Sequence, residues 1–418
     1  MNKEAKRHSS FHYAWIVLIA MCVIRSLSAA GINNTGGLFL APVSETLGVG
    51  VGTLSIYFSV SSIATMLFMP IAGNLINKMS TKTLIFIATA LQCASFIGMG
   101  FMTSVIGFYL LAIPMGIGGA VLVNLVGPVL INRWFKSKTG TALGILMACV
   151  GLFGAVIQPL VLNMIKGIGW QQTYMYIGLF IAVVIVIVNL FAIKNKPSDK
   201  GLSPYETGSS EQGRSVAASS SGIALKTAVK SKPFYMLVLF MISITAVGAF
   251  SQHVATYGDS IGFSSSQMST ILSISMIGST VGALLIGVIS DKIGVYKTTV
   301  IILATALLAV GSLAFGKVSI IIMTAGGFLL GLASMGIPVL APLLTQDFFG
   351  GKDYEAIYAN VMMGPPLATV LLLPVYGFVF DLTGTYLWVL GIMTAFILIG
   401  TLAILLGFKG KKALSQNN

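Results

Sequence analysis

Two stretches of this chain, GNLINKMSTK (residues 73–82) and GVISDKIGVYK (residues 287–297), begin 214 residues apart and follow one pattern. Each opens with a glycine and carries a lysine five positions later. The same shift aligns Glu45 with Asp259, Gly48 with Gly262, Ser59 with Ser273, Phe135 with Phe349, Lys138 with Lys352 and Ala142 with Ala356. Apolar residues match by chance often, whereas glycines and charged residues in loops match rarely. The chain is therefore predicted to contain two copies of one unit, in parallel.

The composition is typical of a protein embedded in a lipid bilayer. Of the 418 residues, 56% are hydrophobic and only 8% are charged, whereas soluble proteins carry about 25% charged residues. The three cysteines lie in apolar runs without a CxxC pair, so neither a disulfide framework nor a metal or redox site is predicted. No loop carries a nucleophile–base pair or a metal cluster, so we expect neither an enzyme nor a cofactor.

Twelve segments are apolar over about 20 residues, the length that crosses a bilayer as a helix. An even number places both termini on one side. The basic start MNKEAKRHSS could also belong to a secretory signal peptide, but the repeat requires the first segment as a helix. The predicted segments cover residues 13–38, 52–76, 83–103, 105–131, 140–165, 171–193, 233–257, 267–289, 298–315, 319–344, 356–380 and 386–407.

The basic residues predict the orientation. With the N-terminus inside, 21 of the 24 lysines and arginines fall in cytoplasmic segments, whereas Lys166 and Lys317 fall outside and Arg25 lies within a predicted helix. The net charge of +13 then reflects topology and attraction to anionic lipid heads rather than nucleic-acid binding. We expect a multi-pass protein of the cell membrane with cytoplasmic termini.

A segment rich in serine, glycine and charge, KNKPSDKGLSPYETGSSEQGRSVAASSSG (residues 194–222), separates the sixth and seventh predicted helices. Such a composition favours a flexible linker. The predicted organisation is an N-terminal six-helix half over residues 1–193, a cytoplasmic linker over 194–232 and a C-terminal six-helix half over 233–418.

The two opening stretches resemble the loop motif G-x-x-x-D-R/K-x-G-x-x-K/R of the major facilitator superfamily, after the second and eighth helices as in that family. The resemblance implies an all-α membrane protein with twelve transmembrane helices in two halves and a midplane substrate site. In the motif a glycine lets two helices approach, and an acid and a base clamp the cytoplasmic face. Asn77 and Ser80 replace the acid and the second glycine of the first copy, so Asp291 and Lys292 are the better clamp candidates. The predicted gating residues are Gly73, Asn77, Lys78, Gly287, Asp291 and Lys292.

Three further stretches resemble the oxalate/formate antiporter and monocarboxylate porter branch: NRWFKSKTGTALGI (132–145), QHVATYGDSIGFS (252–264) and DFFG (347–350). This resemblance covers nearly the whole chain and implies a small organic anion as substrate. That branch often carries an arginine where Ala283 stands here, and the oxalate carrier has a lysine where NVMMGPPLAT (360–369) is uncharged. Because oxalate needs two cations, a monocarboxylate is the favoured substrate.

Arg25 lies in the first predicted helix, within IAMCVIRSLSAAGINNTGG (residues 19–37). At 1.5 Å per residue it is about 18 Å from Tyr13, near the middle of a hydrocarbon core of about 30 Å. A cation there costs at least about 2.5–3.5 kcal/mol, and no acidic residue is predicted near midspan. Arg25 is therefore either the counter-charge of an anionic substrate or a structural residue bound to carbonyl and other polar groups.

Asparagines in the helices are candidate substrate contacts. Asn33 and Asn34 follow Arg25, and Asn124 matches, by resemblance, a polar cavity position of the antiporter branch. For each, a hydrogen bond between helices is the alternative, and Gln92 is interpreted as structural.

His253 and Tyr257 are four residues apart and share one face of the seventh predicted helix, which lines the cavity by resemblance. Histidine titrates near neutral pH, so His253 is the candidate proton-coupling group. The alternative is a neutral ring that is hydrogen-bonded near the outer interface.

The leading hypothesis is a secondary transporter that moves a small organic anion by alternating access, through proton symport or anion exchange, as a monomer. An exporter of drugs or amphiphiles with the same fold is the alternative. The fifth helix argues against it, because GLFGAVIQP (151–159) lacks the Gly-Pro pair that resembles antiporter-type exporters. A solute sensor that does not transport is the third hypothesis, although the linker shows no signalling domain.

Overall fold

The computed structural model describes residues 12–206 and 222–416, and this part of the chain is almost entirely helical. Twelve helices are long and apolar enough to cross a membrane, which confirms the predicted all-α membrane protein. They are Tyr13–Leu40 (span 1), Thr53–Lys78 (span 2), Thr81–Met99 (span 3), Val105–Trp134 (span 4), Thr139–Ile168 (span 5), Trp170–Ala192 (span 6), Lys232–Gln252 (span 7), Thr270–Ile293 (span 8), Val295–Ala314 (span 9), Ile320–Phe349 (span 10), Tyr354–Phe380 (span 11) and Leu387–Lys411 (span 12).

Short connections join most consecutive spans, which therefore alternate in direction. Span 1 begins and span 12 ends at the same end of the bundle, which we call the terminal face, and the other end is the distal face. Spans 2 and 3 meet at the terminal face, between Lys78 and Thr81, and spans 3 and 4 meet at the distal face.

Two spans contain a wider π-helical turn in place of regular α-helix. In span 1 this turn covers Ala29–Asn33, and in span 4 it covers Ala120–Leu125. A π turn adds a residue to the helix and rotates the side chains that follow it, and such turns are frequent at functional sites. The hydroxyl of Thr35 donates to the carbonyls of Gly31 (2.7 Å) and Ile32 (3.2 Å), which bridges the end of the turn in span 1.

Glycines bring helices of the two repeats into backbone contact near the terminal face. A methyl group at Gly287 in span 8 would overlap the carbonyl oxygen of Gly140 in span 5. Its repeat equivalent, Gly73 in span 2, leaves no room for a methyl group beside Ala359 of span 11. The spans 2–11 and 5–8 contacts are therefore related to each other by the repeat.

The described residues at both ends of the linker are paired with the helix bundle. The backbone N–H of Tyr205 donates to the Trp134 carbonyl (2.7 Å), and its carbonyl accepts from Lys136 (3.0 Å). At the other end, the N–H of Ile223 donates to the Phe349 carbonyl (2.9 Å). These pairings hold one end of the linker beside the end of span 4 and the other beside the end of span 10, the repeat equivalent of span 4. Residues 207–221 lie outside the described part of the chain.

Candidate substrate cavity

A cavity of about 340 Å³ lies between spans 1, 2, 3, 4, 6 and 11. Its volume is at the lower end of the range of about 300–1,000 Å³ found for ligand pockets. Aromatic and other apolar residues form much of its wall. The polar residues of the wall are Asn33, Ser61, Ser62, Thr65, Asn124 and Thr369.

The two π turns place two predicted residues in this wall. Asn33 is the last residue of the turn in span 1, and Asn124 lies within the turn in span 4. Both line the cavity, and the side chain of Asn33 is exposed there. Asn34 is also exposed but does not belong to the cavity wall.

Gln92 in span 3 connects Asn33 to the protein interior. The hydroxyl of Ser28 donates to Gln92 Oε1 (2.5 Å), and Gln92 Nε2 donates to Asn33 Oδ1 (3.3 Å). Gln92 is fully buried, at 0% exposure. Gly118 of span 4 packs directly on it, since a Cβ there would lie 2.7 Å from Gln92 Cβ. Because its Oδ1 is engaged, Asn33 can offer the Nδ2 hydrogens to a ligand.

Arg25 is buried close to the cavity but does not belong to its wall. Only 9% of its surface is exposed, and within the described residues its Nε has no hydrogen-bond partner and the guanidinium forms no ion pair. Tyr358 and Cys22 are the titratable groups that interact with it electrostatically, and neither is ordinarily charged at neutral pH. The Tyr358 hydroxyl donates to the carbonyl of Asn124 (3.1 Å), which joins this region to the cavity floor.

His253 and Tyr257 lie together but away from the cavity, beyond the distal end of span 7. The His253 ring nitrogens are 3.3 Å from the Tyr386 hydroxyl and 3.2 Å from the Leu373 carbonyl. The hydroxyl of Tyr257 donates to the Leu313 carbonyl (2.6 Å). Neither side chain lines the cavity, and both ring nitrogens of a neutral His253 have a partner.

Asp291 joins the two repeats at the terminal face. Its carboxylate accepts hydrogen bonds from the Gly140 N–H (2.8 Å), the Thr141 N–H (2.7 Å) and the Thr141 hydroxyl (2.6 Å). These groups begin span 5, where free N–H groups and the helix dipole favour a negative charge. Lys292 is exposed and forms no ion pair within the described residues. The contact is therefore between an acid and a helix N-terminus, not between an acid and a base.

The first copy of the motif uses a different arrangement. Arg133 pairs with Glu355 (3.0 Å) and also donates to Asn77 Oδ1 (3.3 Å). Lys78 is exposed. The repeat shift aligns Asn77 with Asp291 and Glu355 with Thr141. The acid therefore stands on span 8 in the contact of spans 5 and 8, and on span 11, the equivalent of span 5, in the contact of spans 2 and 11. Sequence reasoning missed Arg133 and Glu355, although the repeat alignment contains this exchange.

Comparison with known proteins agrees with this architecture. A sequence profile described as Major Facilitator Superfamily matches residues 21–319 and 254–418. The oxalate:formate antiporter of Oxalobacter formigenes is 24% identical over 349 residues, which are 81% of this chain and 77% of the antiporter. Monocarboxylate transporter 12 of Xenopus laevis is 21% identical over 394 residues, 90% of this chain and 84% of that protein. The crystal structure of the E. coli transporter FucP in the outward conformation shares the fold, with a TM-score of 0.68 and 16% identity over 96% of this chain and 99% of FucP.

Proposed function

The chain belongs to the Major Facilitator Superfamily and is a membrane transporter rather than an enzyme, and from this premise we propose that it carries a small monocarboxylate by alternating access. The observation that carries the proposal is Arg25, a buried cation at midspan without an ion-pair partner among the described residues. An arginine keeps its charge in proteins. A carboxylate that moves through the protein would supply the missing negative charge.

The position of Arg25 suggests when it acts. It lies outside the cavity wall, near Tyr358, whose hydroxyl donates to the carbonyl of Asn124 at the cavity floor. Rocking of the halves around a midplane site exposes such a floor to each side in turn. In this proposal the carboxylate first binds the amides of Asn33 and Asn124 in the cavity, with Asn34 outside its wall, and then reaches Arg25 as the floor opens.

The number of cations favours a single carboxylate. Ala283 and the stretch over residues 360–369 carry no charge, so the described spans offer Arg25 alone at midspan. The oxalate:formate antiporter and monocarboxylate transporter 12 are relatives of low identity whose names support a carboxylate substrate.

Either of two coupling mechanisms fits this site. Proton symport would use His253, whose ring is hydrogen-bonded to Tyr386 and whose neighbour is Tyr257. Anion exchange needs no titratable group. A pH gradient that drives uptake in the wild type but not in His253→Gln would identify symport.

The gating contacts complete the proposal. We propose that the halves 1–193 and 233–418 move as units joined by the linker 194–232, in a monomer whose terminal face is cytoplasmic in the plasma membrane. The contact of Asp291 with the start of span 5 and the Arg133–Glu355 pair, with Gly73, Asn77 and Gly287 beside them, close that face while the cavity is open to the distal side. Lys78 and Lys292 act through their charge at the membrane surface.

Exchange of labelled monocarboxylates across proteoliposomes tests the function. The wild type should exchange them, Arg25→Lys should retain part of the rate, and Arg25→Gln should lose at least about tenfold, because a lost midspan charge interaction is worth at least about 1.4 kcal/mol. Size-exclusion profiles confirm equal folding of the variants. Equal exchange by Arg25→Gln would make Arg25 structural, and transport of only neutral or cationic solutes would overturn the proposed substrate class.

A further inference from the structure

The cavity has an aromatic end, and a deeper end where polar side chains lie among aliphatic ones. Tyr57, Tyr174 and Phe96 line it, each within about one helical turn, roughly 6 Å, of the distal end of its span. Phe58 lies beside Tyr57 at the same level. The part of the wall nearest the distal face is therefore built mainly from aromatic rings.

The polar side chains lie deeper. By helical rise, Thr65 and Thr369 are roughly 16–18 Å below the distal ends of spans 2 and 11, and Asn124 is roughly 28 Å below that of span 4. The Thr65 hydroxyl donates to the Gly116 carbonyl (2.9 Å), so it offers a ligand only its acceptor lone pairs. Asn124 supplies an amide donor at the floor, and Arg25, roughly 22 Å below the distal end of span 1 by the same count, lies behind the wall in the deeper half.

The aromatic end is packed into a fixed arrangement. The ring of Tyr174 stacks on Phe39 with centroids 3.9 Å apart and meets Phe96 edge-on at 4.8 Å. Tyr57 and Phe58 have centroids 4.1 Å apart. Gly36 makes this close packing possible, since a Cβ there would lie 2.7 Å from the Tyr57 hydroxyl. A wall that is already ordered costs little conformational entropy when a ring binds to it.

We propose that the substrate is an aryl-substituted monocarboxylate, bound with its carboxylate toward Asn124 and Arg25 and its ring at the aromatic end. This inference rests on the proposed function. One cation at the deep end matches one carboxylate, and no charged residue lines the aromatic end. An anion of one or two carbons would leave most of the roughly 340 Å³ to water and the aromatic wall without a partner.

Uptake into proteoliposomes, with labelled phenylacetate, benzoate, acetate and benzyl alcohol compared, tests the inference. The wild type should show a kcat/KM for the two aryl acids that exceeds that for acetate by about tenfold or more, the discrimination that apolar pocket contacts provide. It should not accumulate benzyl alcohol, which has the ring without the carboxylate.

Phe58→Ala, with Phe58→Leu as a milder variant, tests the position of the ring. Phe58→Ala should raise the KM for phenylacetate by about tenfold with little change for acetate. The control is Phe180→Ala, at an exposed ring of span 6 outside the cavity, which should change neither value.

The outcomes separate the two proposals. If acetate is carried as well as the aryl acids, or if Phe58→Ala raises both KM values equally, the aryl inference is wrong and the anion transporter stands. If no carboxylate is carried by the wild type, the proposed function itself fails, and the aryl inference fails with it.

Discussion

Gln92 shows how one buried side chain orients another at the cavity. Its Oε1 accepts from the Ser28 hydroxyl, so its Nε2 is the atom that donates to Asn33 Oδ1. The Nδ2 group of Asn33 is therefore the one that remains free for a ligand. Sequence alone suggested a structural residue. The contact with Asn33 makes it a positioning residue for the proposed substrate site.

Gln92→Leu removes both hydrogen bonds while keeping a similar volume. We expect the KM for the transported monocarboxylate to rise about tenfold with a smaller change in kcat, because Asn33 is free to turn its oxygen toward the anion. Gln92→Glu should be worse than Gln92→Leu, since it brings a negative charge near the site. Transport kinetics measure both, and Gln172→Leu, at an exposed glutamine of span 6, is the control. Equal losses of kcat and folded yield without a KM change would make Gln92 merely structural.

Residue types predicted part of this site. Arg25, Asn33 and Asn124 are recognisable because a polar side chain within an apolar run is costly and needs a reason. That Asn33 and Asn124 line the cavity could not be predicted, since both lie in the π turns of spans 1 and 4, and the spacing of apolar residues does not reveal those turns. His253 and Tyr257 were expected at the cavity and lie beside Tyr386 instead.

At the scale of helices, backbone contact through glycine sets how close spans 5 and 8 come at the terminal face. Gly287 touches the Gly140 carbonyl, and Asp291 lies one turn further along span 8 with its carboxylate on the start of span 5. The close approach is what allows the carboxylate to reach two backbone N–H groups. The number and limits of the spans could be predicted from hydropathy, whereas this contact needs the distance between two helices.

Gly287→Ala should separate these two helices. The added methyl group would overlap the backbone carbonyl of Gly140, which cannot move aside as a flexible side chain can. Such overpacking lowers the free energy of unfolding by about 1–3 kcal/mol. We expect a lower melting temperature in detergent and slower transport. Gly391→Ala in span 12 is the matched control, because a Cβ there meets nothing within 4 Å and alanine is the better helix former by about 1 kcal/mol. A Gly287→Ala protein as stable and active as the Gly391→Ala protein would contradict the tight contact.

At the scale of the whole molecule, the two repeats are joined at the terminal face by two different electrostatic contacts. Asp291 binds a helix N-terminus, whereas Arg133 and Glu355 form an ion pair with side-chain exposures of 16% and 13%. The repeat and the twelve helices could be predicted from the sequence. The repeat alignment also contains the exchange of the acid between spans, but that the two positions form equivalent contacts is visible only once span 2 packs against span 11.

The ion pair can be tested by reversing its charges. Arg133→Glu alone places two acids together and should strongly reduce transport, since breaking a largely buried pair costs up to about 3–5 kcal/mol. Arg133→Glu combined with Glu355→Arg should recover a substantial part of the rate. Exchange kinetics of the two single variants and the double variant measure the coupling. Additive losses in the double variant would show that the two side chains do not act together.

The anchored linker has a consequence for how far the molecule can open. Tyr205 and Gly222 are fixed beside the ends of spans 4 and 10, and the chain between them, fully extended, could reach on the order of 55–60 Å. That reach is longer than the hydrocarbon core of a bilayer is thick, about 30 Å, so helix packing and not chain length limits the opening. A polypeptide cut between Tyr205 and Gly222 would leave each piece with its own backbone pairing, Tyr205 with Phe135 and Gly222 with Gly350, and the covalent connection between the pieces would be dispensable once they have associated.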